Sequence, residues 1–405
     1  MKYDFDRIID RRGTGSLKWN VGEGELPMWV ADMDFETAPA VKEAILEKAR
    51  FGVFGYSETD EEWAHAYAEW WKNRHETVLD KDKLIFATGV VPIISSTVRK
   101  LTTVGENVLV QTPTYNIFFN SIVNNGRNAV ENRLIYDGKE YSVNFCDLEK
   151  KLSDPQTTLM ILCNPQNPCG NIWDRDTLSR VGELCRKYGV TVISDEIHCD
   201  LTAPGKGYVP FASVSDTCRD ISVSCLAPTK AFNIAGIQTA AAYVPNKFLH
   251  HKLWRALNTD EVAEPNIFAV TAAVSAFRDG GEWLDELREY LFENRRTAEE
   301  YILRNIHAIH PVRSDATYLM WIDCSEVLGE GRTSSELARF IRRETGLYLS
   351  GGSVYRGDGD RFLRMNLACP RSVLSDGLER LKRGIAVFGV SKGKECTTNA
   401  ADAEQ

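Results

Sequence analysis

Short, continuously apolar runs recur from residue 84 onward: Leu84–Ala87, Val108–Val110, Leu159–Leu162, Val190–Ile193, Ile221–Val223 and Ala240–Val244. Several are separated by stretches with a helical period, such as Asp174–Tyr188. A strand that is apolar at every position is covered on both faces, and strands alternating with helices build a mainly parallel sheet between helical layers. The pattern therefore predicts an α/β domain. Upstream, Thr37–Arg50 places Val41, Ala44, Ile45 and Lys48 along one helical face, with Pro39 tolerated in the first turn. Glu58–Arg74 repeats the period with Trp63, Tyr67, Trp70 and Trp71, an aromatic stripe read as core or subunit contact. The first thirty residues are polar and broken by Gly13, Gly15, Gly22 and Gly24, as in an extended arm.

Past Val244 the pattern turns helical, with Glu282–Asn305 the longest candidate. Strand-like segments at Ala316–Ile322, Leu347–Leu349 and Phe362–Asn366 then mix with helices at Ser334–Glu344 and Ser372–Phe388, which predicts a smaller α+β domain. The expected division is an arm and small-domain segment over 1–36, a large domain over 37–280, a small α+β domain over 281–390 and a disordered polar tail over 391–405. A chain of 405 residues exceeds the size at which one core stops growing, in keeping with two domains.

A net charge of −9 argues against nucleic acid or an anionic membrane surface as partner. The ten cysteines form no C-x-x-C pair, so zinc-ribbon and thioredoxin-like readings find no support and no metal site is expected. Cys163 and Cys225 sit inside apolar runs, where a thiol behaves as a small hydrophobe. The charged start MKYDFDRIIDRR lacks the apolar stretch of a signal peptide, and no run approaches the roughly 20 residues of a membrane helix. A reducing, cytoplasmic compartment is the expectation.

Ligands on parallel sheets gather beyond the carboxyl ends of the strands. Five such ends carry polar or glycine-containing sequence: Thr88-Gly89-Val90-Val91, Thr112-Pro113-Thr114-Tyr115, Asn164-Pro165-Gln166-Asn167-Pro168-Cys169-Gly170, Ser194-Asp195-Glu196-Ile197-His198 and Pro228-Thr229-Lys230. Each alone is ordinary turn chemistry, a surface acidic pair or a solvated lysine. Their order at successive strand ends is far more specific.

That order resembles the fold-type I enzymes that use pyridoxal 5′-phosphate. Within them it is similar to the MalY/PatB branch of carbon–sulfur β-lyases, or cystathionine β-lyases. The branch is carried by YDFDRIIDRRGTGSLKW near the start, WVADMDF at 29–35 and SDEIHCDL at 194–201, and the resemblance runs from about Tyr3 to about Phe388. It implies a seven-stranded-type sheet, the cofactor pyridoxal 5′-phosphate and a homodimer with a shared site. Lys230 matches the lysine that forms a Schiff base with the cofactor aldehyde and then serves as base. Asp195 matches the carboxylate beside the pyridine nitrogen. Glu196, its neighbour on a strand, should face the other way and is read as structural.

By the same resemblance Asn167 matches the residue bonding the phenolic oxygen, and His198 stands where many relatives aim a tyrosine at that oxygen. Tyr115 would stack on the ring. Gly89, Val90 and Val91 would give backbone N–H groups to the phosphate, and Thr229 a hydroxyl. Tyr56 would reach the phosphate of the neighbouring subunit. Arg364, in the R-x-N-x-A stretch, would hold the substrate α-carboxylate in bidentate fashion. Arg371 reads as a helix-start residue and Arg361 as solvated.

Four positions depart from the family pattern. Ala227 replaces a serine and Gln238 an arginine, both bearing on phosphate affinity. Gln166 replaces the branch histidine, and Asn20 follows Lys18-Trp19 where the branch commonly has aspartate. The implied reaction is β-elimination from L-cystathionine or a related S-substituted L-cysteine. Aminotransfer between an amino acid and a keto acid is the alternative, and a cofactor-binding regulatory protein a second.

Overall fold

Seven of the strands after residue 84 pair into one sheet: β1 (Leu84–Ala87), β2 (Asn107–Thr112), β3 (Asn128–Arg133), β4 (Thr157–Cys163), β5 (Thr191–Asp195), β6 (Ser222–Leu226) and β7 (Ala240–Tyr243). The computed structural model describes residues 2–401, with side chains as far as Gly389. The strand order is β1-β7-β6-β5-β4-β2-β3. Pairs from β3 across to β6 are parallel, while β7 runs antiparallel to both β6 and β1. This is the mainly parallel α/β sheet the apolar runs predict. Strands β6 and β7 are buried at every position, and β4 and β5 at all but one, so no alternation survives in their sequence. The exception is β3, whose polar sequence NAVENR forms a partly exposed edge and gives no apolar signal.

The chain divides into two units. The first comprises Glu36–Glu289, the short piece Ser314–Thr317 and the first residues of the chain. It contains the sheet and helices α1 (Pro39–Phe51), α2 (Glu61–His75), α3 (Val90–Leu101) and α4 (Ala269–Asp279). Helix α2 starts where the Asp60 side chain accepts the Trp63 N–H, and its Trp63, Tyr67, Trp70 and Trp71 are buried. Tyr67 meets Phe277 of α4 edge to face at 4.7 Å, so the aromatic stripe is core within this unit.

The second unit comprises Asp4–Phe35, Tyr290–Arg313 and the chain from Tyr318 onward. Its antiparallel sheet contains β8 (His310–Pro311), β9 (Leu319–Asp323), β10 (Ser350–Gly351) and β11 (Phe362–Asn366), in the order β8-β9-β11-β10. Helix α5 (Ser334–Thr345) opens with a capping box of Thr333 and Glu336, and Gly346 closes it in the left-handed conformation. The last helix is Arg371–Ala401. The core of the unit includes Leu337, Ile341, Leu347, Leu363, Met365, Leu378 and Leu381. The tail expected over 391–405 lies outside the residues whose side chains are described. No helix among the described residues is long and apolar enough to cross a membrane.

Candidate active site

Strand β5 ends in Asp195, which is buried and lies in register with Cys163 of β4 on one side and Cys225 of β6 on the other. Its Oδ1 accepts the Ile197 N–H at 3.1 Å. Burial is the main cause that pushes its carboxyl up to about 7, and the Glu196 charge adds to the rise. The Ile197 hydrogen bond and the Lys230 amine pull the other way. Lys230 stands in the turn that follows β6, so one adjacent pair of strands delivers both an amine and a buried carboxyl. Glu196 is also fully buried, but its Oε1 accepts from Ser194 Oγ at 2.8 Å and from the Phe211 N–H at 3.2 Å. Period-two alternation has turned it into the protein, as its place beside Asp195 on the chain requires.

The turn after β4 is tied to the turn after β2 by Gln166. Its Nε2 donates to Pro113 O at 2.7 Å and Gln111 O at 3.4 Å. The residue that replaces the branch histidine is therefore a cross-strand brace, holding buried Asn167 beside the turn that carries half-buried Tyr115. Tyr115 meets Phe118 edge to face at 5.6 Å. The turn closes at Gly170, with φ of 74°. A Cβ there would lie 1.9 Å from Ser314 Oγ and 2.7 Å from Ala316 O, so both backbone and space demand glycine.

Helix α3 begins after Gly89 with no capping side chain and no acidic residue in its first turn. Val90 and Val91 are its first two residues, so their N–H groups belong to the set that lies beyond reach of intrahelical acceptors. Thr229 and Ala227 are buried in the approach to Lys230. Gln238 is exposed and left-handed, with φ of 58°. Tyr56 is fully exposed in an extended segment that also exposes Val53 and Phe54.

His198 is buried in the turn after β5. That turn is anchored by contacts the sequence did not disclose. Asp200 Oδ1 accepts from Trp70 Nε1 and meets His75 Nε2, each at 2.9 Å. Burial would raise the Asp200 carboxyl, but the bonds from His75 and Trp70 leave it below its ordinary range. His75 is 125 positions away in the chain, and no motif marks it. Thr317 N–H donates to Leu201 O at 2.7 Å, fastening the same segment from another side.

In the second unit Arg364 lies buried on β11. Its Nη2 donates to Trp29 O at 2.8 Å, and its guanidinium sits 4.9 Å from the centre of the Tyr355 ring. Arg361 is not solvated as the sequence reading has it: Nη1 and Nη2 donate to Gly329 O at 2.7 Å and Ser325 O at 2.6 Å, closing a short helix. Arg371 opens the last helix as expected, its N–H donating to Tyr290 Oη at 2.9 Å.

Residues 24–381 match the family described as aminotransferase class I and II. The chain belongs to that family. Among curated members it is 41% identical to cystathionine β-lyase PatB of Bacillus subtilis, over 95% of this chain and 100% of that protein. It is 32% identical to protein MalY of Escherichia coli, over 95% and 99%. Among solved structures it matches cystalysin from Treponema denticola, which contains a pyridoxal 5′-phosphate cofactor. There the TM-score is 0.92 at 30% identity, covering 96% of this chain and 100% of that one.

Proposed function

We propose that this family member is a pyridoxal-phosphate-dependent carbon–sulfur β-lyase. With water it converts L-cystathionine, or a related S-substituted L-cysteine, to a thiol, pyruvate and ammonia. The observation that carries the reading is the buried Asp195 beside the Lys230 turn, in a chain alike over 95% of its length to a cystathionine β-lyase.

The residues fit the cofactor by their chemistry. A primary amine suits an aldehyde, a buried carboxyl suits a protonated ring nitrogen, and an uncapped helix start suits a phosphate. When bound, pyridoxal phosphate supplies the electron sink that takes up charge as the substrate Cα loses its proton. Lys230 would hold the aldehyde carbon and then accept the Cα proton on its amine nitrogen. Asp195 would face the ring nitrogen as its carboxyl partner, a role suited to a buried group shielded from water. Tyr115 would stack on the ring, and Asn167 and His198 would bond its phenolic oxygen. Gly89, Val90, Val91 and Thr229 would hold the phosphate. Arg364 would hold the substrate α-carboxylate through its guanidinium.

The assembly is read as a homodimer. The exposure of Tyr56 beside Val53 and Phe54 supports a role for it at the phosphate of a second copy. The nine cysteines whose side chains are described are free thiols, which supports a cytoplasmic setting.

Aminotransfer would call on the same lysine, aspartate and arginine, so the products must decide. Purified protein with added pyridoxal phosphate is incubated with L-cystathionine, with and without 2-oxoglutarate. Pyruvate should form at the same rate in both. Turnover that waits for the keto acid would replace the lyase reading with the aminotransferase.

A further inference from the structure

Two motifs that the chemistry above does not use meet in the second unit. They are Lys18-Trp19 with Arg11 on the N-terminal arm, and Trp29-Val30-Ala31-Asp32-Met33-Asp34. Lys18 is 1% exposed, and its Nζ lies 2.7 Å from Asp34 Oδ2. Arg11 bridges both aspartates, with Nη1 at 2.8 Å from Asp34 Oδ1 and Nη2 at 2.8 Å from Asp32 Oδ2. Trp19 Nε1 donates to Asp34 Oδ1 at 2.8 Å. Asn20, where this chain departs from the branch, is exposed and outside the cluster.

The segment these charges grip is held by side chains at five consecutive carbonyls. Trp29 O accepts from Arg364 Nη2 and from Ser350 Oγ. Val30 O accepts from Asn366 Nδ2, and Ala31 O from Tyr318 Oη. Asp32 O accepts from Asn366 Nδ2 and Lys18 Nζ, and Met33 O from Arg11 Nη1. Arg364 and Asn366 are the two polar residues of R-x-N-x-A, on the same face of β11. Side chains from the arm and from β11 thus help to fix the conformation of this run of backbone. The arm supplies charge at one end and β11 supplies donors at the other.

We infer that Arg11 and Lys18, through Asp34 and Asp32, are positioning residues for Arg364. They fix Trp29 O, the acceptor that holds one end of its guanidinium, and so set the direction in which the rest of it meets a carboxylate. Buried ion clusters add little net stability for their cost, but they enforce one geometry. This rests on the reading of Arg364 as receptor for the substrate α-carboxylate.

The test compares two ligands that differ by that carboxylate, L-alanine and ethylamine, titrated into the holoenzyme and followed by the cofactor absorbance. Lys18→Met and Arg11→Gln should each weaken L-alanine by about tenfold, the scale of one charge-assisted hydrogen bond, and leave ethylamine unchanged. With L-cystathionine the loss should fall on KM, with kcat and pyridoxal phosphate affinity retained. Equal weakening of both ligands, or none, overturns the inference. Arg11 is partly exposed, so its variant stands if loss of the buried Lys18 charge prevents folding. Arg364→Lys runs as control: if it fails to separate the two ligands, the receptor reading itself is at fault.

Discussion

Asp195 joins burial to proton affinity, and the sign of its shift can be tested without any substrate. A carboxyl whose folded value is raised to about 7 keeps a proton, between its ordinary range and 7, that the unfolded chain has lost. The cofactor-free protein should therefore lose stability as pH rises from about 4 to 7, where Asp195 must ionise in its buried place. Thermal scans across that window should show a smaller fall for Asp195→Asn than for the parent. Parallel curves would contradict the assigned environment. At this scale the candidate groups stand out because chemistry restricts residue type: the motif order singles out Lys230 and Asp195 for the proposed roles. Gln166 and His75 are not legible, since their work is to bond a carbonyl or a carboxylate brought near by folding.

Among the elements, continuous apolar runs announce the inner strands because both of their faces are covered. The polar edge strand β3 is silent for the opposite reason. The aromatic stripe of α2 reads correctly as core, since four large rings at helical spacing need a face to bury. In the N-terminal arm Leu26–Pro27 pairs with Leu347–Tyr348, and Glu25 binds the Arg342 guanidinium of α5 at 2.6 and 2.8 Å, contacts that no motif announces. The Arg342 hydrogen bonds hold the Glu25 carboxyl down to about 2. Such a group stabilises the fold above the unfolded carboxyl range, and the contribution is lost as pH falls through about 2. Glu25→Gln should cost up to about 1 kcal/mol at pH 7 after solvent screening, and nothing near pH 2. Chemical denaturation at the two pH values measures the difference.

At the level of the whole molecule, three stretches distant in sequence form the second unit, and the arm is one of them. Composition alone cannot show this, because an arm folded onto β11 and a free arm have the same residues. The family motifs do carry it, since YDFDRIIDRRGTGSLKW and WVADMDF occur with R-x-N-x-A in one chain. A shared dimeric site, as proposed for Tyr56, makes its own prediction. Lys230→Ala and Tyr56→Ala proteins should each have little activity, while unfolding and refolding them together should restore part of it. A mixed dimer then holds one site with both residues intact. Mixtures no more active than the separate variants would place Tyr56 outside the site.

Product stoichiometry is the sharpest probe of the cleavage itself. The holoenzyme should release homocysteine and pyruvate in equal amounts from L-cystathionine, with no keto acid present, and Lys230→Ala should release neither. Absence of both products from the parent protein, or their undiminished release by Lys230→Ala, would contradict the account.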